Sequence, residues 1–418
     1  MTISPQTPSE SRPKRKQSGT SKWHLSKEAV KISVHEIALW SDDMCRDFLV
    51  QIRWGSANTI SCPHCGTISS HYYRVLQKRW KCKACGKAFG LMAGTVFAST
   101  KMPFQKLVSS ILTWLNSAGG QPALELRRHA DISYGAAFMI QHKLREALVR
   151  GFNIGFLSGD IEMDGSHQSG KNAAEKRGVV RGAEPTLPAE AQTANEQRQI
   201  ENQGRRPKPP KTGIIDPATG MTLPENRRIL INARSRSNIK GKGAFATRVM
   251  IAKVEDGANV RAILDKFVAQ PESLLNTDEN KAYTKVGKRF KAHRTVQHKT
   301  TLTGPDGENN NQAEEFAWRQ DRAEKGTYLN IEPKYLFDYA VESAFRSDVR
   351  RLSNLDQLKL ALKIASSVGE SQYWKGFTHG QHRTVEILAT GTEPAPASGR
   401  PKKAQDAPRL PSGSRLPR

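Results

Sequence analysis

Four of the chain's five cysteines stand in two knuckles, Cys62-Pro-His-Cys65 and Cys82-Lys-Ala-Cys85. Two residues separate the cysteines within a knuckle, and sixteen separate the knuckles. That is the arithmetic of a zinc ribbon. Each short turn aims two thiolates at one ion, and the strands between them bring the pairs into a tetrahedral all-thiolate site. Four thiolates close the coordination shell and leave no position for water, so Zn²⁺ bound there is structural. Gly66 and Gly86 follow the knuckles, where a sharp turn calls for positive φ. Two disulfides are the competing reading. The sequence shows no apolar signal-peptide core near its N-terminus and no run of eighteen apolar residues, so nothing supports an oxidising compartment. Cys45, in a helical-looking stretch, reads as a buried thiol, and His64 as an outward-facing residue rather than a fifth ligand.

A second set of metal-capable groups is spread along the chain. Asp164 closes the strand-like alternation IEMD, Asp278 ends the run LLNTD, and Glu314 falls near the start of a helical stretch. Carboxylates are hard oxygen donors of the kind Mg²⁺ takes, with waters and substrate phosphate completing its shell. Each acid also has an ordinary reading. Asp164 before Gly165 opens a turn, Asp278 caps the helix of Tyr283, and Glu314 complements a helix dipole. Asp160, Glu162 and Glu315 are the neighbours most easily confused with true ligands.

The elements that must position these groups follow from patterning. Residues 1–27 lack apolar periodicity and read as a disordered basic arm; 28–57 carry short helices, and 58–100 the ribbon. The inter-knuckle stretch SHYYRVLQKRWK interleaves Tyr72, Tyr73 and Trp80 with Arg74, Lys78 and Arg79, which suits phosphate contact plus stacking. Residues 101–151 are helical. ALELRRHA, the turn Asp131-Ile132-Ser133 and YGAAFMIQHKLREAL make a helix-turn-helix candidate, with Ala137, Ile140, Leu144 and Ala147 inward and Gln141, His142 and Arg145 outward. Gln141 and Arg145 are then the candidates for base readout. Lys plus Arg number 65 against 40 for Asp plus Glu, a net charge of +25 that points to nucleic acid in a chain without a membrane-like span.

From 155 the pattern turns to strands: DIEMDGS, then 227–235 and 245–254, with a helix at 258–269, LLNTD, a short strand at 292–298, and a helix from Asn311 to Lys325. This α/β order is compatible with an RNase H-like core over 155–355, in which strand ends and the first turn of the last helix converge. Three carboxylates there hold two Mg²⁺ ions about 4 Å apart. Residues 171–226, dense in Pro, Gln, Asn and charge, read as an insertion; 356–390 are helical, and 391–418 a disordered tail.

Over residues 35–355 the chain resembles the DDE transposases of bacterial insertion sequences, in the ISXO-like branch with one zinc ribbon ahead of the catalytic core. The resemblance rests on the ribbon, GTVFASTKMP, IEMDGS, NTDENKAY, VQHKT, NNNQAEEF with RAEKGTY, and YLFDYAVESAFRSDVRRLSN. It implies metal-assisted phosphoryl transfer: water frees a 3′-hydroxyl at the transposon end, which attacks a target-strand phosphate. Asp164, Asp278 and Glu314 become the Mg²⁺ ligands, with Mn²⁺ as a substitute, and His298 orients a phosphate or the nucleophile. Asn311 caps the helix of Glu314. The partners implied are duplex DNA, at transposon ends and target, and further copies of the chain, in the bacterial cytoplasm beside the nucleoid. Two departures stand out. SHQSGKN replaces a Gly-Gly-rich turn, and Asp321-Arg322 replaces a basic pair, which shifts the expected phosphate contacts to Arg319 and Arg322. An inactive, DNA-binding relative and an RNase H-like nuclease are the alternative readings.

Overall fold

The computed structural model describes residues 23–168, 213–215, 222–224, 226–239, 243–296, 309–380, 383 and 385–391. Two helices precede the ribbon. α1 (Val34–Ala38) starts at Ser33 and α2 (Asp42–Trp54) at Ser41, whose hydroxyls accept the Glu36 and Met44 N–H groups. Serine there satisfies a helix-end donor that has no partner within the helix. Cys45 is buried on α2, and burial pushes its thiol up to about 11.

In the ribbon, β1 (Ile60–Ser61) pairs with β2 (Ile68–Ser69), and β3 (Tyr72–Arg74), β4 (Arg79–Lys81) and β5 (Ala88–Phe89) form an antiparallel sheet. Alternation along the strands sorts the side chains. Trp80 turns inward, its ring 5.6 Å from Trp54 of α2 and 4.8 Å from Tyr73, while Tyr72, Arg74, Arg79 and Lys81 are exposed on the other face. The ribbon is therefore welded to α2 by aromatic burial. Asp42 extends the weld: its carboxylate accepts the Phe104 N–H at 2.7 Å and the Lys78 ammonium at 3.0 Å.

Three helices follow: α3 (Phe104–Asn116), α4 (Ala123–Ala130) and α5 (Tyr134–Gly151). The turn chemistry is as expected, with the Ser133 hydroxyl accepting the Ala136 N–H. The exposed polar face of α5 is not there. Gln141, His142 and Arg145 are as buried as Ala137 and Leu144, because α5 packs against α3 and α4 on one side and two C-terminal helices on the other. Only its first turn is exposed.

The central sheet has five strands: β6 (Asp160–Gln168), β9 (Arg228–Arg236), β10 (Ala244–Ala252), β11 (Leu274–Thr277) and β12 (Ala292–Thr295). A separate antiparallel pair, β7 (Gly213–Ile215) and β8 (Thr222–Pro224), is what is described of the 171–226 insertion apart from Asn226. The sheet order is β10-β9-β6-β11-β12, with β6, β9 and β10 antiparallel neighbours and β6, β11 and β12 parallel. Parallel neighbours need crossover connections, here α6 (Gly257–Phe267) before β11 and α7 (Lys281–Gly287) before β12. α8 (Asn311–Arg322) lies against β6 and β9 and runs into a π-helical turn, Ala323–Tyr328.

α9 (Pro333–Val349) covers β10 and also packs on α5, and α10 (Asn354–Ser367) packs on α2, α3 and α5. Helices before and after the sheet segment in sequence thus pack on one another, α5 on both α9 and α10. Among the described residues no helix is long and apolar enough to cross a membrane.

Candidate functional site

β6 and β11 run side by side in parallel, and Asn276 pairs with Glu162. Asp164 lies two residues further along β6, and Asp278 follows the last residue of β11. Glu314 lies in the first turn of α8, the helix packed against β6 and β9. Burial pushes the Asp164 carboxyl up to about 8, reinforced by the negative charges of Glu255, Asp278 and Glu314. Asp278 and Glu314 thus lie within electrostatic reach of Asp164, and so does a further acid, Glu255. Like charges so placed disfavour one another's ionisation, and a hard divalent cation would relieve that repulsion. Among the described residues only the four cysteines gather their ligand atoms within 4.8 Å of one another. The acids are more widely spaced, which suits an ion that keeps waters and takes substrate oxygens.

The neighbouring acids have other tasks. Glu162 is fully buried, and its carboxylate accepts the Gln312 and Ala313 N–H groups at 2.7 and 3.1 Å and the Arg236 guanidinium at 2.5 Å. It caps α8 from across the sheet. Asn311, expected as that cap, is exposed and lies inside the helix, and the Asn310 cap residue makes no side-chain capping bond. Asp160 holds Arg236 at 3.0 Å and also meets the Asn276 amide. Glu315 pairs with Arg319 at 2.5 Å. Asn232 Nδ2 donates to the Asp164 carbonyl at 3.1 Å and the Ala313 carbonyl at 3.4 Å, tying the strand of one acid to the helix of another. The Asp278 carboxylate accepts the Asn280 N–H at 3.1 Å, and Asn280, not Asp278, caps α7. His298 lies outside the described residues.

Glu255 escaped the sequence reading. It stands between β10 and α6 in the stretch KVEDGAN, which looks like a polar turn. In the fold it accepts the Tyr283 hydroxyl at 2.5 Å, and Tyr283 is fully buried. Burial, and next the Glu255 charge, push the Tyr283 phenol well above its ordinary range.

The ribbon gathers all four sulfurs. Cys62 and Cys85 Sγ are 3.8 Å apart, and Cys65 and Cys82 Sγ 3.6 Å. Disulfide sulfurs stand about 2.05 Å apart, whereas a tetrahedron of thiolates at 2.3 Å from zinc has edges of about 3.8 Å. The set fits Zn²⁺. Each knuckle closes identically: the Gly66 and Gly86 N–H groups donate to the Cys62 and Cys82 carbonyls, with φ at 74° and 70°. His71, which the sequence reading passed over, joins the knuckles. Its Nδ1 accepts the Lys83 N–H at 3.3 Å, so the proton sits on Nε2, which donates to the Thr67 carbonyl at 3.2 Å.

Of the residues expected to face DNA, Arg74, Lys78, Arg79, Arg319 and Arg322 are exposed, and so is His64. Arg74 and Arg79 stand directly opposite across β3 and β4. Arg322 lies 4.6 Å over the exposed Trp318 ring. Gln141 and Arg145 cannot reach a base. Gln141 donates to the Gln121 carbonyl at 3.0 Å, and Arg145 is sealed against Glu342 at 2.6 Å and the Tyr339 ring at 3.9 Å. His142 stacks on Trp374 at 4.2 Å, and its burial lowers its pKa well below the ordinary histidine range.

A thiolate ribbon fit for zinc is thus joined to a mixed α/β body that carries a group of neighbouring acids. Residues 156–348 match the family model of the ISXO2-like transposase domain, and residues 40–88 that of the transposase zinc-ribbon domain. Over these two stretches the chain is similar to the ISXO2-like transposases and their zinc-ribbon domain. No curated protein and no solved structure matches it.

Proposed function

We propose that the chain is a DNA transposase that binds the terminal inverted repeats of an insertion sequence. Its acidic centre would catalyse Mg²⁺-dependent strand cleavage and strand transfer. The observation that carries this reading is the convergence of Asp278 and Glu314 on Asp164 within a transposase-family domain. The sheet order, three antiparallel strands followed by two parallel ones, supports an RNase H-like core.

Asp164, Asp278 and Glu314 would hold the magnesium, which when bound activates the attacking oxygen and neutralises charge on the leaving one. The chain's own work is positioning. Asn232 and Glu162 fix β6 against α8, so that the three carboxylates keep their spacing while substrate enters. On the ribbon, the outward arginines would take phosphates, and the Arg74–Arg79 pair in particular is costly unless an anion lies between them. Arg319 and Arg322 would hold the strand over the acidic centre. Joining two ends calls for more than one copy on DNA, in the cytoplasm of a bacterial cell.

The test is Asp164→Asn in the zinc-loaded full chain, given cognate ends and Mg²⁺. Nicking and joining should fall by at least three orders of magnitude, on the scale of removing a group that acts in the transition state, while end binding persists. No cleavage of cognate ends by the unaltered chain at any Mg²⁺ or Mn²⁺ concentration would leave a DNA-binding relative without the chemistry. Degradation of RNA–DNA hybrids without joining would make it a nuclease.

A further inference from the structure

Glu255 sits where a carboxylate is costly, and local structure does not require it. Asp256 already caps α6, its Oδ1 accepting the Ala258 and Asn259 N–H groups at 3.1 and 2.9 Å. Glu255 instead lies flat on β6. A Cβ built on Gly165, next to Asp164, would meet the Glu255 carboxylate atoms at 2.3, 2.4 and 2.5 Å. Gly165 is not among the glycines with positive φ, so its missing side chain provides space rather than a backbone conformation. One Glu255 oxygen, Oε1, takes the buried Tyr283 hydroxyl. Tyr283 belongs to α7, the helix that follows Asp278.

We propose that Glu255, laid over Gly165 and clamped by Tyr283, is a fourth carboxylate of the acidic centre and supplies a protein oxygen to a second divalent cation beside Asp164. The inference rests on the acidic-centre reading above and assigns a ligand that reading lacks. A site with three carboxylates for two ions leaves one of them held mainly by waters and substrate. A fourth anchors that ion before DNA arrives. Tyr283 acts as a positioning residue: its hydrogen bond orients the ligand without touching the ion, as outer partners of metal ligands do.

The experiment is Mn²⁺ titration of the zinc-loaded full chain, followed by the paramagnetic broadening of bound Mn²⁺, without DNA. Four proteins are compared: unaltered, Asp164→Asn, Glu255→Gln and Tyr283→Phe. The expected result is two Asp164-dependent ions in the unaltered chain, of which Glu255→Gln loses one. Tyr283→Phe keeps both but binds one of them about tenfold more weakly, the usual scale for an outer partner. Unchanged thermal melting in EDTA-free buffer shows that the variants are folded, and Tyr283→Phe, which keeps the ring in the core, carries the test if Glu255→Gln does not fold. A Glu255→Gln titration that superimposes on the unaltered one, or unchanged binding in folded Tyr283→Phe, overturns the proposal alone. Absence of any Asp164-dependent Mn²⁺ in the unaltered chain overturns the acidic-centre reading, and this proposal with it.

Discussion

A carboxyl group pushed up to about 8 is mostly protonated at neutral pH, and Asp164 is such a group while no cation neutralises its neighbours. Its folded pKa lies above that of a carboxyl in the unfolded chain, about 3.9. The native state therefore binds the extra proton between those values. The stability this gives is complete below about pH 4 and is lost as pH rises through about 8. Zinc-loaded, magnesium-free protein should melt at progressively lower temperature across that window, and Asp164→Asn should flatten the slope. Magnesium added near neutral pH should release a proton, which isothermal titration in two buffers of different ionisation enthalpy would count. At the thiolate centre, Cys62→Ser leaves three ligands where four close the shell. Zinc content should fall from one per chain, and end binding should weaken with it. If end binding survives that substitution, the ribbon is not the grip. Asp164, Asp278 and Glu314 could be picked out in the sequence because each stands on or beside a plainly periodic segment, although Asp164 lies in the middle of β6 and not at the strand end that the alternation suggested. Glu255 and His71 were not, because a lone acid in KVEDGAN and a lone histidine before a strand gain their meaning only from what folds onto them.

At the scale of elements, α8 depends on a cap supplied from a different strand. Replacing Glu162 by Gln keeps its shape but removes the charge that meets the Gln312 and Ala313 N–H groups and the Arg236 guanidinium. Loss of a cap costs about 0.5–2 kcal/mol, and a charge-assisted bond at a buried site about 1.5–3 kcal/mol. Chemical denaturation should show a loss in this range, with strand cleavage reduced through the misplaced Glu314. The order of strands and crossover helices was legible from hydrophobic alternation and helix-start residues. The environment of α5 was not. Its apolar stripe of Ala137, Ile140, Leu144 and Ala147 describes one buried face, and nothing local announces that Arg145 meets Glu342 of α9, that His142 meets Trp374, or that Gln141 meets the Gln121 carbonyl. Arg145 is the measure of that difference. Removing one partner of a buried ion pair costs about 3–5 kcal/mol, so Arg145→Ala should destabilise the fold on that scale. In the protein that remains folded, the salt dependence of DNA binding should not change.

Across the whole molecule, the excess of basic over acidic residues should make the proposed DNA affinity fall with salt, and single phosphate contacts can then be counted from the slope. Arg79→Ala should reduce that slope by about 1, whereas Arg145→Ala should leave it alone. Buried and partly buried hydrogen bonds cross the boundary drawn at residue 151 from the change of periodicity. Glu342 of α9 accepts from Arg145 of α5, from Arg346 at 2.9 Å and from the Tyr328 hydroxyl at 3.1 Å. Arg346 in turn closes the C-terminal end of α3 by donating to the carbonyls of Trp114, Leu115 and Ser117. Tyr328, from the π-helical turn behind the acid-bearing α8, also receives the Gln121 N–H at 3.2 Å. These contacts limit how such proteins can be recombined. A chimera that joins this chain's ribbon and first five helices to a sheet segment lacking Glu342 and Arg346 leaves Arg145 buried without its carboxylate and three carbonyls at the end of α3 without their donor. New end specificity is more readily grafted on the outer face of the ribbon hairpin than gained by exchanging everything ahead of the sheet.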